Sequence, residues 1–300
     1  MEEIAVAAVS NKHRKQPDNM KISYDKKLVL ITGGTSGIGL ALAKQLTTEG
    51  AHVFLIARDR QRLVSATNAL SQLAKPEQQV GFIRLDVTNY PKVLKKLSKW
   101  IDKYGAPDLL INSAGVAHPG YFHDLDPQIF HWMMDVNYFG TVNVTKVIIP
   151  HMMACRSGQV VNICSEAGFV GVFGYTAYGA SKYAVRGFSD ALRAEMKPYG
   201  IQLSIVFPPD TKTPQLEYEE QFKPPETKAI SGNSKPMTPE KVASIVIRNI
   251  KRNRYMIIPG FEGKVFYRLT SFMKHSTYPV MDYLIATAQK KTRRLKNLVD

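Results

Sequence analysis

Leu28-Val29-Leu30-Ile31-Thr32-Gly33-Gly34-Thr35-Ser36-Gly37-Ile38-Gly39 passes from an unbroken apolar run into a turn of glycines and small hydroxyl residues. An apolar run of this length predicts a buried strand over 28–31, and residues 37–49 carry apolar side chains at helical spacing. Glycines let such a turn tighten and let its backbone approach a pyrophosphate, whose charge then faces the positive end of the helix. A purely structural turn does not account for the run of small residues before Gly39. Gly33, Thr35, Ser36, Gly37, Ile38 and Gly39 are therefore candidate ligands of a dinucleotide.

The alternation continues outward from this turn. Residues 53–56, 80–85, 109–111, 160–163, 203–207 and 256–258 read as further strands, and 92–104 as a second clear helix. Apolar strands separated by helices predict a doubly wound α/β domain, a parallel sheet of about seven strands covered on both faces. Its expected limits are 27–260. Residues 208–236, rich in Pro, Glu, Lys and Thr, predict a long loop of the kind that covers a substrate. Residues 1–26 are expected to form a flexible polar arm, and 261–300 a basic helical extension.

The second strand runs into Arg58, with Arg62 one turn on. A domain specific for NAD places an acid there for the ribose 2′-hydroxyl, whereas arginines suit the 2′-phosphate of NADP. Asp86 and Val87 close the third strand, where they would meet the adenine. Asn112 closes the fourth, beside small residues that leave room for the ribose.

Tyr178 and Lys182 lie i and i+4 on one helix face, and Ser165 follows a strand thirteen residues earlier. A phenol of ordinary pKa is a poor acid–base group at neutral pH, and a neighbouring ammonium stabilises its phenolate. Ser165 would hold the reacting carbonyl oxygen. Asn137, on a preceding helix, would hold a water linking Lys182 to solvent. Tyr178 and Lys182 also border the cofactor. Tyr175 has Gly179 at i+4 and is set aside.

In this order, Thr-Gly-x-x-x-Gly-x-Gly, Asn-x-Ala-Gly, a helical Asn, Ser and Tyr-x-x-x-Lys resemble the short-chain dehydrogenase/reductase family over residues 27–207. The resemblance implies a seven-stranded Rossmann-type sheet, NADP(H) at the strand ends, Ser-Tyr-Lys chemistry and helix-packed homo-oligomers. The stretch Phe207-Pro208-Pro209-Asp210-Thr211-Lys212-Thr213-Pro214, with Lys223-Pro224-Pro225-Glu226-Thr227 after it, is similar to the 3-ketodihydrosphingosine reductases of that family. Lys212, in place of an acid, and Ser113, within Asn-Ser-Ala-Gly, depart from their pattern. That likeness implies a long-chain amino-ketone lipid as substrate. An ammonium beside the ketone calls for a counter-charge, and Glu166 or Asp210 would supply it. Other lipophilic ketones, steroids or 3-oxoacyl thioesters, remain open. So does a non-enzymatic basic protein, although no aromatic interleaving or motif for nucleic acid is present.

Net charge is +15, and residues 241–300 hold thirteen Lys and Arg against three acids, a net +10. In that region Val265, Phe266, Leu269, Phe272 and Met273 recur at helical spacing, as do Val280, Met281, Leu284, Ile285 and Ala288. Basic residues flank both stripes, a pattern that suits the surface of an anionic membrane. No apolar run is long enough to span one. Two cysteines, Cys155 and Cys164, are expected as free thiols in a cytoplasmic protein. The histidines show no metal-ligand spacing.

Overall fold

A computed structural model describes residues 22–231, 235–273 and 277–296. The seven strands are β1 (Leu28–Thr32), β2 (His52–Ala57), β3 (Val80–Arg84), β4 (Leu109–Asn112), β5 (Gly158–Ile163), β6 (Ile201–Val206) and β7 (Met256–Ile257). They form one sheet in the order β3-β2-β1-β4-β5-β6-β7, and every pair is parallel. The chain winds outward from β1 to β3, then returns to β4 on the other side of β1. Between β1 and β4 the crossovers diverge, and a crevice opens beyond their carboxyl ends. The glycine turn and the Asn-Ser-Ala-Gly turn both lie at this point, stitched together by Thr32, whose Oγ1 accepts from the amides of Ser113 (3.0 Å) and Ala114 (3.1 Å).

Each face of the sheet is sealed by helices with apolar stripes. Leu42 and Leu46 of α1 (Gly37–Thr48), Leu63 and Leu70 of α2 (Arg60–Ser71), and Val242 and Val246 of α9 (Pro239–Ile250) cover one side. Val93 and Leu97 of α3 (Tyr90–Tyr104) and Val144 and Ile148 of α5 (Gly140–Cys155) cover the other. Truncating one of these buried leucines to alanine would cost ~2–5 kcal/mol. α5 continues from α4 (Pro127–Met133) through a π-helical turn, Met134–Phe139, and α6 (Thr176–Met196) follows β5.

Two expectations change. The arm expected over 1–26 lies mostly outside the described residues, but its last part belongs to the fold. Tyr24 is 3% exposed and donates to Gln159 Oε1 of β5 (2.5 Å), while the Ile22 amide reaches Lys251 O. The loop expected over 208–236 contains two helices, α7 (Pro214–Glu220) and α8 (Pro225–Ser231). Thr213 caps α7 through the Leu216 amide and Pro214 sits in its first turn, so a start signal was present in the sequence. A parallel bridge between Thr211 and Met237 closes the base of this insertion.

The extension forms α10 (Phe261–Met273) and α11 (Thr277–Lys296). Its first apolar stripe divides between two roles. Phe266 and Tyr267 pack on Phe169, in the loop after β5, whereas Phe261, Val265, Leu269 and Phe272 face outward. α11 crosses back onto α8.

Candidate active site

The glycine turn forms the first wall of a cleft of about 1460 Å³ at the sheet's carboxyl edge. Gly33 (φ 66°) and Gly37 (φ 51°) take left-handed backbone that a side chain would strain. A Cβ on Gly33 would stand 2.7 Å from Ser113 O, so the turn fits against its neighbour only without one. Ser36 occupies the N-cap of α1 yet makes no capping bond, and no acid lies in the first turn. By contrast Asp59, Asn89 and Thr238 cap α2, α3 and α9. The amides of α1 are thus left to an anion, and the cradle fits a pyrophosphate.

Thr35, Ser36, Ile38 and Gly39 line the same wall, followed by Arg58, Arg62, Asp86 and Val87. Asp59, the acid beside Arg58, is committed to α2: its Oδ1 accepts from the amides of Gln61 (2.8 Å) and Arg62 (3.1 Å). Those bonds hold its carboxyl below the usual range, so it stays an anion occupied with its own helix. Asp86 is held by Thr88, whose amide and hydroxyl both donate to Oδ1. Asn112 needs a correction. Its side chain turns into the core and donates to Thr145 Oγ1 and Asn162 Oδ1, both at 2.9 Å, so it ties the sheet to α5 and does not line the cleft.

Beyond the cradle, Ser165, Tyr178 and Lys182 converge. Ser165 lies two residues past β5 and opens a 3-10 turn, Glu166–Gly168, by accepting from the Ala167 amide. Tyr178 and Lys182 are both buried on α6, and Lys182 Nζ lies 5.5 Å from the Tyr178 ring centroid and donates to Ile163 O (3.2 Å). Burial pushes the phenol above its ordinary value, Glu219 adds to the rise, and hydrogen bonds from Ser165 and Gln215 oppose it. Burial also lowers Lys182. Burial is the largest cause of the phenol's rise, so in the chain alone the phenol is held protonated.

Asn137 sits in the π-helical turn, a distortion that concentrates at functional sites. Its Oδ1 accepts from the Val116 amide (2.8 Å) and its Nδ2 donates to Val116 O and Ser181 Oγ, which fixes the side chain. A Cβ on Gly115 would stand 3.3 Å from Asn137 Oδ1 and 3.5 Å from Lys182 Nζ, so glycine leaves a gap between the two.

The α7–α8 insertion covers the cleft through a polar network that sequence reasoning missed. Tyr175 donates to Glu219 Oε2 (2.6 Å), and Gln215 Nε2 donates to Glu219 Oε1 (2.8 Å). Lys223, its side chain almost wholly buried, pairs with Glu220 (2.5 Å) and Asp210 (3.5 Å). Tyr121 donates to Glu226 and Thr227 to Phe173 O. Only the Thr213-Pro214 helix start could have revealed part of this, because the partners are far apart in sequence.

Among the described residues no cluster of His, Cys, Asp and Glu could hold a metal, and Cys155 and Cys164 are free.

Comparison with known proteins places the chain. The short chain dehydrogenase profile matches residues 27–223. A 3-dehydrosphinganine reductase of Danio rerio is 39% identical over 251 residues, 83% of this chain and 76% of the relative. A 3-ketodihydrosphingosine reductase of Dictyostelium discoideum is 35% identical over 275 residues, 87% of this chain and 82% of the relative. Among solved structures, ElxO with NADP bound superposes with a TM-score of 0.67 at 27% identity, covering 78% of this chain and 97% of that one. With this match over the whole catalytic region, the chain belongs to the short chain dehydrogenase family.

Proposed function

We propose that this protein reduces the ketone of 3-ketodihydrosphingosine to dihydrosphingosine with NADPH. The observation that carries the reading is the cleft itself. An anion cradle meets the Ser165–Tyr178–Lys182 group, and beyond it lies a lobe walled by apolar residues such as Val172, Phe173, Ile230 and Phe266. Its volume exceeds the ~300–1,000 Å³ of an ordinary small-molecule site, as a dinucleotide together with a lipid requires. The names of the relatives agree with that chemistry. Arg58, with no acid at the end of β2, and Arg62 favour the 2′-phosphate of NADPH.

The reduced nicotinamide supplies the hydride when bound. Tyr178, protonated in its buried place, donates to the carbonyl oxygen, which Ser165 also hydrogen-bonds. Lys182 stabilises the phenolate that remains. The gap at Gly115, bordered by Asn137, gives a water room to return the proton toward Lys182. Coenzyme consumption with a panel of long-chain ketones tests the reading. The amino ketone with NADPH is expected to be the best pair, and a better rate with a steroid ketone or with NADH would displace it.

The outer faces of α10 and α11 suit a membrane surface. Phe261 and Phe272 are 80% and 88% exposed, Val265 and Leu269 lie between them, and Lys264 and Arg268 flank the stripe. Phe261 also lines the cleft, so docking by this face would bring the cleft to a substrate dissolved in lipid. No helix among the described residues is long and apolar enough to cross a membrane.

A further inference from the structure

Four carboxylates line the cleft near the reaction centre, and three of them are already paired or exposed. Glu219 accepts from Tyr175 and Gln215, one on each oxygen. Asp210 is paired with Lys223. Glu262 lies exposed at the start of α10. Glu166 differs from all of these.

Its backbone follows Ser165 directly, and its side chain lines the cleft. Its Oε1 is fully buried and has no hydrogen-bond partner among the described residues. The first turn of α10 covers the group, and a Cβ on Gly263 would collide with the carboxylate. A half-buried carboxylate without a cation is costly to hold in a fold. Burial first, then the Asp210 and Glu262 carboxylates, push its pKa up to about 7. The apoprotein therefore carries a charge deficit beside the catalytic serine that a cationic ligand would relieve.

We propose that Glu166 is the receptor for the substrate's ammonium group and sets the preference for amino ketones over neutral ketones. The inference rests on the amino-ketone reading above. In such a substrate the amine sits on the carbon next to the carbonyl. With the carbonyl oxygen on Ser165 and Tyr178, the ammonium falls beside the residue that follows Ser165. Asp210, paired with Lys223, shapes the insertion and does not meet the amine. α10 then has a role in catalysis, because its first turn excludes water from the ammonium pocket and strengthens the pair.

The test measures kcat/KM for 3-ketodihydrosphingosine and for its analogue lacking the 2-amino group, in the full-length wild type and in Glu166→Gln, Glu166→Asp and Asp210→Asn. Wild type is expected to favour the amino ketone. Glu166→Gln is expected to reduce that preference by about ten- to a hundredfold, the range for a charge-assisted hydrogen bond. Glu166→Asp should keep part of the preference, and Asp210→Asn should lower both substrates alike. If wild type favours the amino ketone and Glu166→Gln preserves the ratio, the assignment of Glu166 is overturned while the substrate reading stands. If wild type does not distinguish the two ketones, both are overturned.

Discussion

Arg58 and Glu166 are side chains whose surroundings leave work unfinished. Arg58 has no ion-pair partner among the described residues, and its neighbouring acid is spent on the α2 cap. Arg58→Asp is therefore expected to weaken NADPH by about one to two decades, the worth of one or two charge-assisted contacts, with little loss for NADH. Titration of both coenzymes against coenzyme fluorescence checks this, and an unchanged ratio would remove Arg58 from the site. Glu166 also gives a pH signature. Its folded pKa, about 7, lies above the ordinary 4.5, so the folded state holds the proton more tightly than the unfolded state. The stability this contributes is complete below pH ~4.5 and is lost as pH rises through about 7. Glu166→Gln should then stabilise the apoprotein by about 1–3 kcal/mol at pH 8 and by almost nothing near pH 4.5. Denaturant melts at the two pH values give the comparison. That Ser165, Tyr178, Lys182 and the glycines line one cleft was legible in sequence, because their placement follows from local spacing at strand ends and on one helix face. The isolation of Glu166 was not, because it depends on what α10 and Lys223 do elsewhere.

At the scale of elements, the insertion between β6 and α9 is the part that sequence reasoning rendered least well. Its composition predicts a loop, yet α7 and α8 form because Thr213 and the prolines start them and because the cleft offers partners. Tyr175, set aside for lacking a lysine one turn on, is the latch: its hydroxyl fastens Glu219 of α7 to the catalytic helix. Tyr175→Phe removes one charge-assisted bond and should cost about 1.5–3 kcal/mol of local closure. Hydrogen exchange of the α7 amides should accelerate about ten- to a hundredfold, with α1 and α9 unchanged. Uniform acceleration over the whole domain would mean that Tyr175 supports the core and not the cover. The strands, by contrast, were found within two residues of their expected limits. Buried parallel strands read as apolar runs, and such runs survive any detail of tertiary packing.

Across the whole molecule, the basic C-terminal part is both a wall of the active site and a candidate docking face. The sequence placed all five residues of the first stripe on one surface, whereas the structure turns Phe266 inward and Val265, Leu269 and Phe272 outward. Periodicity could not separate these roles, because both faces of α10 carry apolar residues and packing on the cluster around Phe169 decides which is covered. The outward set, with Lys264 and Arg268, should bind vesicles rich in phosphatidylserine and release them as salt rises. Reversing both basic residues to glutamate should weaken binding more than about twentyfold, at ~1 kcal/mol for each lost cation and further for each added anion. Vesicle sedimentation insensitive to lipid charge would favour a protein partner for this face.

The central claim is that Tyr178 protonates a ketone on an amino lipid as hydride arrives from NADPH. It is tested most directly by supplying NADPH deuterated at the transferable position and examining the dihydrosphingosine by mass spectrometry. Wild type is expected to place one deuterium on the carbon that carried the ketone. Tyr178→Phe should bind NADPH normally yet form labelled product about 10²–10⁴-fold more slowly, the usual contribution of a positioned acid. Labelled product formed by Tyr178→Phe at the wild-type rate, or no labelled product from wild type, would contradict the account.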